Sequence, residues 1–423
     1  MNDVAAHANA LDAADALAPL REEFLIPHGA DGSEQAYFCG NSLGLEPLGV
    51  RQAIGEELDD WAAMAVDAHF HGRHPWMAYH EFVRDGLAEV VGAHPGEVVA
   101  MNSLTANLHL MMASFYRPQP GRAAILIEAG AFPSDRYAVA SQIAFHGYDP
   151  AAELIELEPD EPSGALSPES VLRAIETDGE RIALVLWPGV QYRTGQAFDL
   201  ATITEAAHAR GCRVGFDLAH AAGNLGLRLH DSGCDFAVWC SYKYLNAGPG
   251  AVAGCFVHER HARADLPRFA GWWGHDPGSR FGMGPEFVPT AGADGWQLSN
   301  PPILALAPLR VSLELFQRAG MDALRRKSRA LTGYFERLIH ASLDDVVEIV
   351  TPREPERRGC QLSLRVKGPR DAGRRLFEHL QRHGIVTDWR EPDVIRAAPV
   401  PLYNRFADCL RFVDSVRDWK SSQ

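Results

Sequence analysis

The sequence predicts an α/β protein with a large domain, built on a mostly parallel sheet between helices, and a smaller α+β domain. The first observation is a series of short aliphatic runs between residues 50 and 260, which alternate with helical stretches. Such runs are typical of strands that helices cover on both faces. The second observation is a Gly/Pro/Trp-rich stretch at residues 265–302, beyond which long helical segments dominate. Together they place a domain boundary near residue 300.

The large domain, predicted at residues 46–300, contains a regular succession of strands. They are expected at residues 123–128, 182–187, 213–217, 236–240 and 252–257, with helices such as 200–210 between them. Ligands of open parallel sheets bind at the carboxyl ends of the strands. The residues that follow each strand are therefore the first candidates for a functional site.

The smaller domain is predicted at residues 301–423. A long helical segment is expected at residues 303–342, and apolar runs at 346–350, 361–366 and 385–389 predict strands. Helices lie between and after these strands. The N-terminal segment, residues 1–45, is expected to pack against this domain.

Composition excludes several classes of partner. The chain has 423 residues, of which 46% are hydrophobic, and a formal net charge of −15. This charge repels nucleic acids and anionic membranes, so neither is expected as a partner. Seven scattered cysteines without a Cys-x-x-Cys pair indicate reduced thiols, and neither a basic leader nor a membrane-spanning run is apparent. A cytoplasmic location is therefore predicted.

Lys243 lies in the segment CSYKYLNAGPG, residues 240–250, which directly follows a predicted strand. Tyr242 and Tyr244 flank it, and a glycine-rich turn comes next. At a strand end beside a ligand crevice, such an amine is partly desolvated and reacts with carbonyl groups. A surface lysine that extends past two tyrosines is the alternative interpretation.

Asp217 and His220 lie in FDLAH, residues 216–220, at the end of the preceding strand. Asp217 stands 26 positions before Lys243, with one helix and one strand between them. This separation suits pyridoxal 5'-phosphate (PLP), which needs a carboxylate to keep its pyridine nitrogen protonated. His220 is placed to orient Asp217 or to bind near the ring. A helix N-cap for Asp217 and a structural role for His220 are the alternatives.

Phe132 and Asp135 lie in the segment FPSD, just past the strand at residues 123–128. Phe132 suits stacking on a flat pyridine ring, and Asp135 suits the ring-nitrogen end. A core phenylalanine and a turn aspartate are the alternative interpretation.

Leu104 and Thr105 open a helical run within NSLTAN, residues 102–107. Backbone N–H groups at a helix start, together with the Thr105 hydroxyl, form a ready phosphate site. Ordinary helix capping is the competing interpretation.

Taken together, these motifs resemble the kynureninase family, within the wider aminotransferase class V group. The matching segments run from about residue 37 to 410 and are GNSLGL, HPW, FPSD, VQYRTGQ, GFDLAHAAGN, WCSYKYLNAGPG, GWWGH, SNPPIL and IRAAPVPLYN. The resemblance implies a PLP enzyme of fold type I, whose large domain contains a mostly parallel sheet of the seven-stranded type. It also implies a homodimer with active sites shared between the subunits.

The resemblance also implies roles for individual residues. Lys243 forms the Schiff base with the cofactor, and Lys243, Tyr242 and Asp217 are the catalytic residues. The implied cofactor contacts are Leu104, Thr105, Phe132, Pro133, Ser134, Asp135, Asp217, His220, Tyr242, Lys243, Trp272 and Asn300. Of these, Trp272 and Asn300 are expected to reach the phosphate across the dimer, Trp272 in preference to its neighbour Trp273.

The substrate contacts implied by the resemblance are Arg396, His69 and Ser42. Arg396 is expected to hold the α-carboxylate, because its planar fork suits a bidentate grip. His69 and Ser42 are expected near the aryl ring of the substrate. No metal is expected at the nearby histidines, because they form no helical pair four residues apart with a supporting carboxylate.

The implied reaction is hydrolysis of L-kynurenine to anthranilate and L-alanine in tryptophan degradation or NAD synthesis, with 3-hydroxy-L-kynurenine as a second substrate. A cysteine desulfurase-like lyase or a class V aminotransferase is the alternative within PLP chemistry. A catalytically silent interaction protein is the alternative outside it. The presence of Lys243, Asp217 and Arg396 argues against a silent relative.

Overall fold

The computed structural model describes residues 2–422 and confirms the α/β fold class. The helices are α1 (Asn2–Ala13), α2 (Val50–Met64), α3 (Ala68–His71), α4 (Arg84–Val91), α5 (Leu104–Phe115), α6 (Pro133–Phe145), α7 (Pro150–Glu153), α8 (Pro168–Asp178), α9 (Leu200–Ala209), α10 (Leu229–Ser232), α11 (Ile303–Ala319), α12 (Met321–Ser342), α13 (Ala372–Arg382) and α14 (Phe406–Ser421). The strands are β1 (Ala36–Tyr37), β2 (Val98–Ala100), β3 (Ala124–Glu128), β4 (Leu154–Leu157), β5 (Ile182–Pro188), β6 (Arg213–Asp217), β7 (Phe236–Trp239), β8 (Gly254–Val257), β9 (Val347–Ile349), β10 (Leu362–Val366), β11 (Ile385–Val386), β12 (Asp388–Arg390) and β13 (Val394–Ala397).

The large sheet has seven strands in the order β2-β8-β7-β6-β5-β3-β4. The strands β3 to β7 pair in parallel, whereas β8 runs antiparallel to both of its neighbours. Each parallel pair needs a crossover connection, and the helices between the strands provide it. The carboxyl ends of β3, β5, β6 and β7 therefore meet at one edge of the sheet.

Helices cover both faces of this sheet, as the uninterrupted apolar runs predict. Alternate residues of β3 enter two different cores, because successive side chains of a strand point to opposite faces. Leu126 belongs to one core and Ile127 to the other. Every residue of β3 is buried. The sheet is thus a rigid platform for the residues that follow its strands.

The C-terminal part contains a second, antiparallel sheet in the order β12-β13-β10-β9. The helical segment expected at residues 303–342 is two helices, because Gly320 adopts a φ of 73° and ends α11. A residue with a side chain rarely adopts this conformation. The first of the two helices, α11, packs against α2 and α4 of the large core, whereas α12 packs against α14.

The N-terminal segment contacts both parts of the chain. Helix α1 packs against α14, while Phe24 and Leu45 lie in the large core. The domain boundaries at residues 45 and 300 stay predictions.

The Gly/Pro/Trp-rich stretch at residues 265–302 is irregular apart from three short 3-10 turns. Within it Trp273 and Trp296 are buried, whereas Trp272 is 40% exposed. Among the residues that the structure describes, no helix is long and apolar enough to cross a membrane.

Candidate active site

A cavity lies at the carboxyl ends of the large sheet's central strands. The lining residues are Leu104, Thr105, Glu128, Phe132, Ser134, Asp135, Pro188, Val190, Tyr192, Asp217, Ala219, His220, Tyr242 and Lys243. The fold therefore brings most of the predicted cofactor residues into one cavity.

Lys243 reaches the cavity from the turn after β7. Its Nζ lies 3.1 Å from Nε2 of His220, which follows β6. Burial lowers the pKa of His220 well below its usual value, and the nearby Lys243 charge lowers it further. At neutral pH the imidazole is therefore uncharged, and its Nε2 accepts a hydrogen bond from the lysine amine.

Three carboxyl groups share the floor of the cavity: Asp217, Asp135 and Glu128. Burial raises the pKa of Asp135 well above its usual value, and the charge of Asp217 and a hydrogen bond with it raise it further. Burial also raises the pKa of Glu128, to about 8, with a smaller contribution from Asp217. Glu128 therefore holds its proton at neutral pH, and the pKa of Asp135 is raised in the same direction beside Asp217.

Asp217 also forms a local turn, but turns rather than the helix of the N-cap alternative follow it. The backbone N–H of Ala219 donates to its Oδ1 at 2.6 Å. Its carboxyl group nevertheless lines the cavity. The local turn and a position in the cavity are therefore compatible.

Two helices begin at the cavity, α5 at Leu104 and α6 at Pro133. The side chains of Thr105 and Ser134 meet there, with their hydroxyl oxygens 2.8 Å apart. Free N–H groups at the first turn of a helix favour anions. The paired hydroxyls and helix starts therefore make this end of the cavity suitable for phosphate.

Aromatic rings flank the cavity on another side. Phe132 is 47% exposed, and its ring packs edge-on against Tyr192 with centroids 5.4 Å apart. The Tyr242 ring lies beside Lys243, with Nζ 5.8 Å from its centroid. Burial raises the pKa of Tyr242, and the neighbouring Cys240 raises it further, so the phenol keeps its proton.

Arg396 is completely buried and fixed by a small set of acceptors. Its Nε donates to Asp388 Oδ1 at 2.6 Å, and its Nη2 donates to the other oxygen of Asp388. It also donates to Ser42 Oγ at 3.1 Å and to the Tyr192 carbonyl at 2.7 Å. Burial raises the pKa of Asp388, but the hydrogen bonds from Arg396 outweigh it and leave the pKa below its usual value. Two predicted substrate residues, Arg396 and Ser42, are thus in contact.

Arg396 and Ser42 do not line the cavity, and neither do four other predicted residues. Trp272 and Asn300 lie on the surface of the irregular segment, and Pro133 only opens α6. His69 is half-buried and packs edge-on against Trp76. The roles predicted for all four stay predictions.

Sequence reasoning missed Glu128, Tyr192 and Asp388. Glu128 ends the apolar run of the predicted strand, and a charged residue at a buried strand end is itself a signal. Tyr192 lies within VQYRTGQ, a motif in which no local pattern distinguishes it from its neighbours. Nothing in the sequence identifies Asp388 as the partner of Arg396 except its charge.

Comparison with known proteins shows which family the chain belongs to. A curated kynureninase of Xanthomonas euvesicatoria pv. vesicatoria (strain 85-10) is 65% identical over 418 residues, which cover 99% of this chain and 98% of that protein. The chain belongs to the kynureninase family. A kynureninase of Xanthomonas campestris pv. campestris (strain B100) is 64% identical over 417 residues, 98% of either protein. The family profile of the kynureninase C-terminal domain matches residues 324–416.

Solved structures show which other proteins share the fold of this chain. The cysteine desulfurase CsdA from Escherichia coli superimposes with a TM-score of 0.77 at 17% identity, over 96% of this chain and 98% of that one. A C-DES variant with glycine covalently linked to its PLP cofactor gives a TM-score of 0.75 at 18% identity, over 94% and 99% of the two chains. At such identities the likeness concerns the fold alone, and it confirms fold type I.

Proposed function

We propose that this chain is a PLP-dependent kynureninase. It hydrolyses the Cβ–Cγ bond of L-kynurenine with one water molecule to give anthranilate and L-alanine. 3-Hydroxy-L-kynurenine is a second substrate, which gives 3-hydroxyanthranilate. The observation that carries this proposal is the near full-length identity of 65% to a curated kynureninase, joined to a lysine and carboxylate cavity at the strand ends.

The cavity fits the cofactor at each of its functional groups. Lys243 offers an amine for the aldehyde, and Phe132 leaves almost half of its ring surface free for stacking. Thr105 and Ser134 offer hydroxyls at two helix starts for the phosphate. Asp135 Oδ1 is buried and has no hydrogen-bond partner within residues 2–422, as expected of a group that awaits a ligand.

When bound, PLP supplies an electron-withdrawing ring that stabilises negative charge at the substrate Cα. Asp217 holds a proton at the pyridine nitrogen, which maintains this withdrawal. The buried Asp135 carboxyl group lies beside Asp217 at the same end of the cavity.

Lys243 serves as the base once the substrate amine has replaced it on the cofactor. Lys243 would then take the Cα proton of the substrate as a general base. His220 remains uncharged and accepts a hydrogen bond from Nζ, so it positions the amine without repelling it. Water then adds to the γ-carbonyl, and the Cβ–Cγ bond breaks.

Tyr242 is the proton donor to Cβ after bond cleavage. Its raised pKa keeps the phenol protonated near neutral pH, and it lies beside Lys243. The proton that it transfers completes the methyl group of alanine. A positioned general acid typically contributes about 10²- to 10⁴-fold in rate.

Arg396 binds the substrate α-carboxylate, and Ser42 and His69 lie toward the aryl ring. Asp388 keeps the guanidinium in place through its two hydrogen bonds. A buried arginine with a fixed plane loses little entropy when it binds a carboxylate.

The cysteine desulfurase alternative needs a mobile nucleophilic cysteine. All seven cysteines of this chain are buried. Burial also raises the pKa of Cys240, which lies close to the cavity, and so disfavours its thiolate. These observations favour kynurenine hydrolysis over desulfuration.

The wider setting is also part of the proposal. We infer a homodimer in which Trp272 and Asn300 of one subunit reach the cofactor phosphate of the other. Their exposure on the irregular segment supports this inference, as does the burial of Trp273. We also infer a cytoplasmic location and a role in tryptophan catabolism or NAD biosynthesis.

Product analysis tests the proposed reaction. The purified protein should convert L-kynurenine to anthranilate and alanine in equal amounts without an α-keto acid acceptor. Borohydride reduction should fix the cofactor to Lys243, and the Lys243→Ala variant should be inactive. Release of sulfide from cysteine, or turnover that depends on an acceptor, would contradict the proposal.

A further inference from the structure

We propose a second ligand site, for a divalent transition metal of the Zn²⁺ type, at the edge of the large sheet opposite the active-site cavity. Its four ligands are His94, Glu97, His230 and Glu259, and the ligand atoms all lie within 4.8 Å of one another. We call this set the histidine–glutamate cluster.

The ligand atoms of the cluster are 3.0 to 4.8 Å apart, a range that brackets the spacing around a tetrahedral metal. His230 Nδ1 lies 3.0 Å from Glu97 Oε1, and His94 Nδ1 lies 3.3 Å from Glu259 Oε2. Metal–ligand bonds of about 2.0 to 2.2 Å in a tetrahedron set neighbouring ligand atoms about 3.3 to 3.6 Å apart. A small shift of side chains would therefore complete the coordination.

The two histidines present their donor atoms side by side. Their rings stack with centroids 3.8 Å apart at an interplanar angle of 25°. Both use Nδ1 toward the carboxylates. Two imidazole nitrogens and two carboxylate oxygens suit Zn²⁺ and its neighbours, whereas Mg²⁺ and Ca²⁺ prefer oxygen ligands alone.

Glu97 anchors the cluster in the fold, because its side chain is only 1% exposed. The backbone N–H groups of His94 and Glu259 each donate to its carboxylate at 2.8 Å. His94 and Glu259 are more than half exposed, so a metal ion from solvent can reach the cluster. The two backbone hydrogen bonds hold the Glu97 carboxylate in one orientation, which favours metal binding.

The cluster joins three segments that are far apart in the sequence. Glu97 precedes β2, His230 lies in α10 just before β7, and Glu259 follows β8. These positions are at the amino end of β7, whereas Lys243 follows its carboxyl end. A metal there would tie the segments together and stabilise the fold without entering the reaction.

Calorimetric titration of ZnCl₂ into the PLP-loaded protein, after treatment with a chelator, tests the site. We expect one Zn²⁺ per chain, a rise in Tm on binding and a kcat for kynurenine that changes less than twofold. His230→Asn should weaken Zn²⁺ affinity at least about tenfold, since even the loss of an outer contact to a metal ligand typically costs about 10- to 100-fold.

His94→Asn provides a second variant at an exposed ligand, in case the half-buried His230 is needed for folding. His383→Asn is the matched control, because His379 and His383 form another stacked pair, with centroids 4.0 Å apart, that lies outside the cluster. Absence of binding in excess Zn²⁺ would overturn the proposal. Unchanged affinity in both the His230 and the His94 variants, or loss of binding in the His383 variant, would overturn it as well.

Discussion

At the scale of single residues, burial decides the acid–base behaviour of the cavity. Glu128 ends β3 with 4% of its surface exposed, and this burial raises its pKa to about 8. Asp235 is equally buried, yet its pKa is strongly lowered, because hydrogen bonds from His208 and His261 outweigh the effect of burial. Glu128 has no such cationic partner among the ion pairs of the described chain. It therefore stays neutral near the ring-nitrogen end of the proposed cofactor site.

Replacement of Glu128 by glutamine should change the pH dependence of stability. In the unfolded chain this carboxyl ionises near its usual pKa of 4.5, whereas in the fold it keeps its proton up to about 8. The unfolded state therefore binds fewer protons in this window, and wild-type stability falls as pH rises through it. The Tm of Glu128→Gln relative to wild type should increase between pH 5 and pH 9.

Thermal melts at several pH values measure this difference. Glu205→Gln is the control, because Glu205 is exposed on α9 and its replacement should give a difference that does not vary with pH. A constant Tm difference between Glu128→Gln and wild type would show that Glu128 is ionised in the fold.

The individual residues differ in how far the sequence reveals them. Lys243, Asp217 and Thr105 follow strands or open helices, so strand and helix patterns alone direct attention to them. Contacts between segments that are far apart in the sequence are not revealed by such patterns. Arg396 meets Asp388 and the Tyr192 carbonyl through pairing and packing that no local pattern encodes.

At the scale of elements, helix α1 stabilises the start of α14. Asp12 Oδ1 accepts the Phe406 N–H at 2.7 Å, and its Oδ2 accepts the Ala407 N–H at 3.1 Å. These N–H groups belong to the first turn of α14 and have no partner within the helix. The side chain of Asp12 therefore acts as a cap supplied by another helix.

Removal of this cap should destabilise the protein without slowing the reaction. Asp12→Ala should lower the free energy of unfolding by about 0.5 to 2 kcal/mol, the usual cost of losing a helix cap. Asp12→Asn keeps one acceptor oxygen and should lose less. Thermal melts and kcat with L-kynurenine measure both effects. Equal stability of Asp12→Ala and wild type would mean that water replaces the cap at no cost.

Element boundaries show where sequence patterns stop being sufficient. The strand at residues 213–217 agrees residue for residue with β6, because its apolar run is bounded by a turn at each end. Gly320 was harder to interpret, since a single glycine inside a helical pattern is often tolerated. Its positive φ, and hence the break between α11 and α12, becomes visible only in the folded chain.

At the scale of the whole molecule, the single chain supplies only part of the proposed site. Lys243 and Asp217 line the cavity together, whereas Trp272 lies outside it, exposed and close to Phe281. Exposed aromatic residues on an irregular segment are typical of an interface. Closed twofold symmetry would bring the segment of each subunit to the cavity of the other.

Mixing two inactive variants tests this arrangement. In a hybrid dimer of one Lys243→Ala subunit and one Trp272→Ala subunit, one active site contains both substitutions and the other active site contains neither. Half of the dimers are hybrids after random exchange of equal amounts, so about one quarter of the wild-type activity should return. The control mixes Lys243→Ala with Asp217→Ala, whose residues line the same cavity of one chain, and should restore nothing. If the first mixture also stays inactive after subunit exchange, Trp272 acts within its own chain and the shared site is wrong.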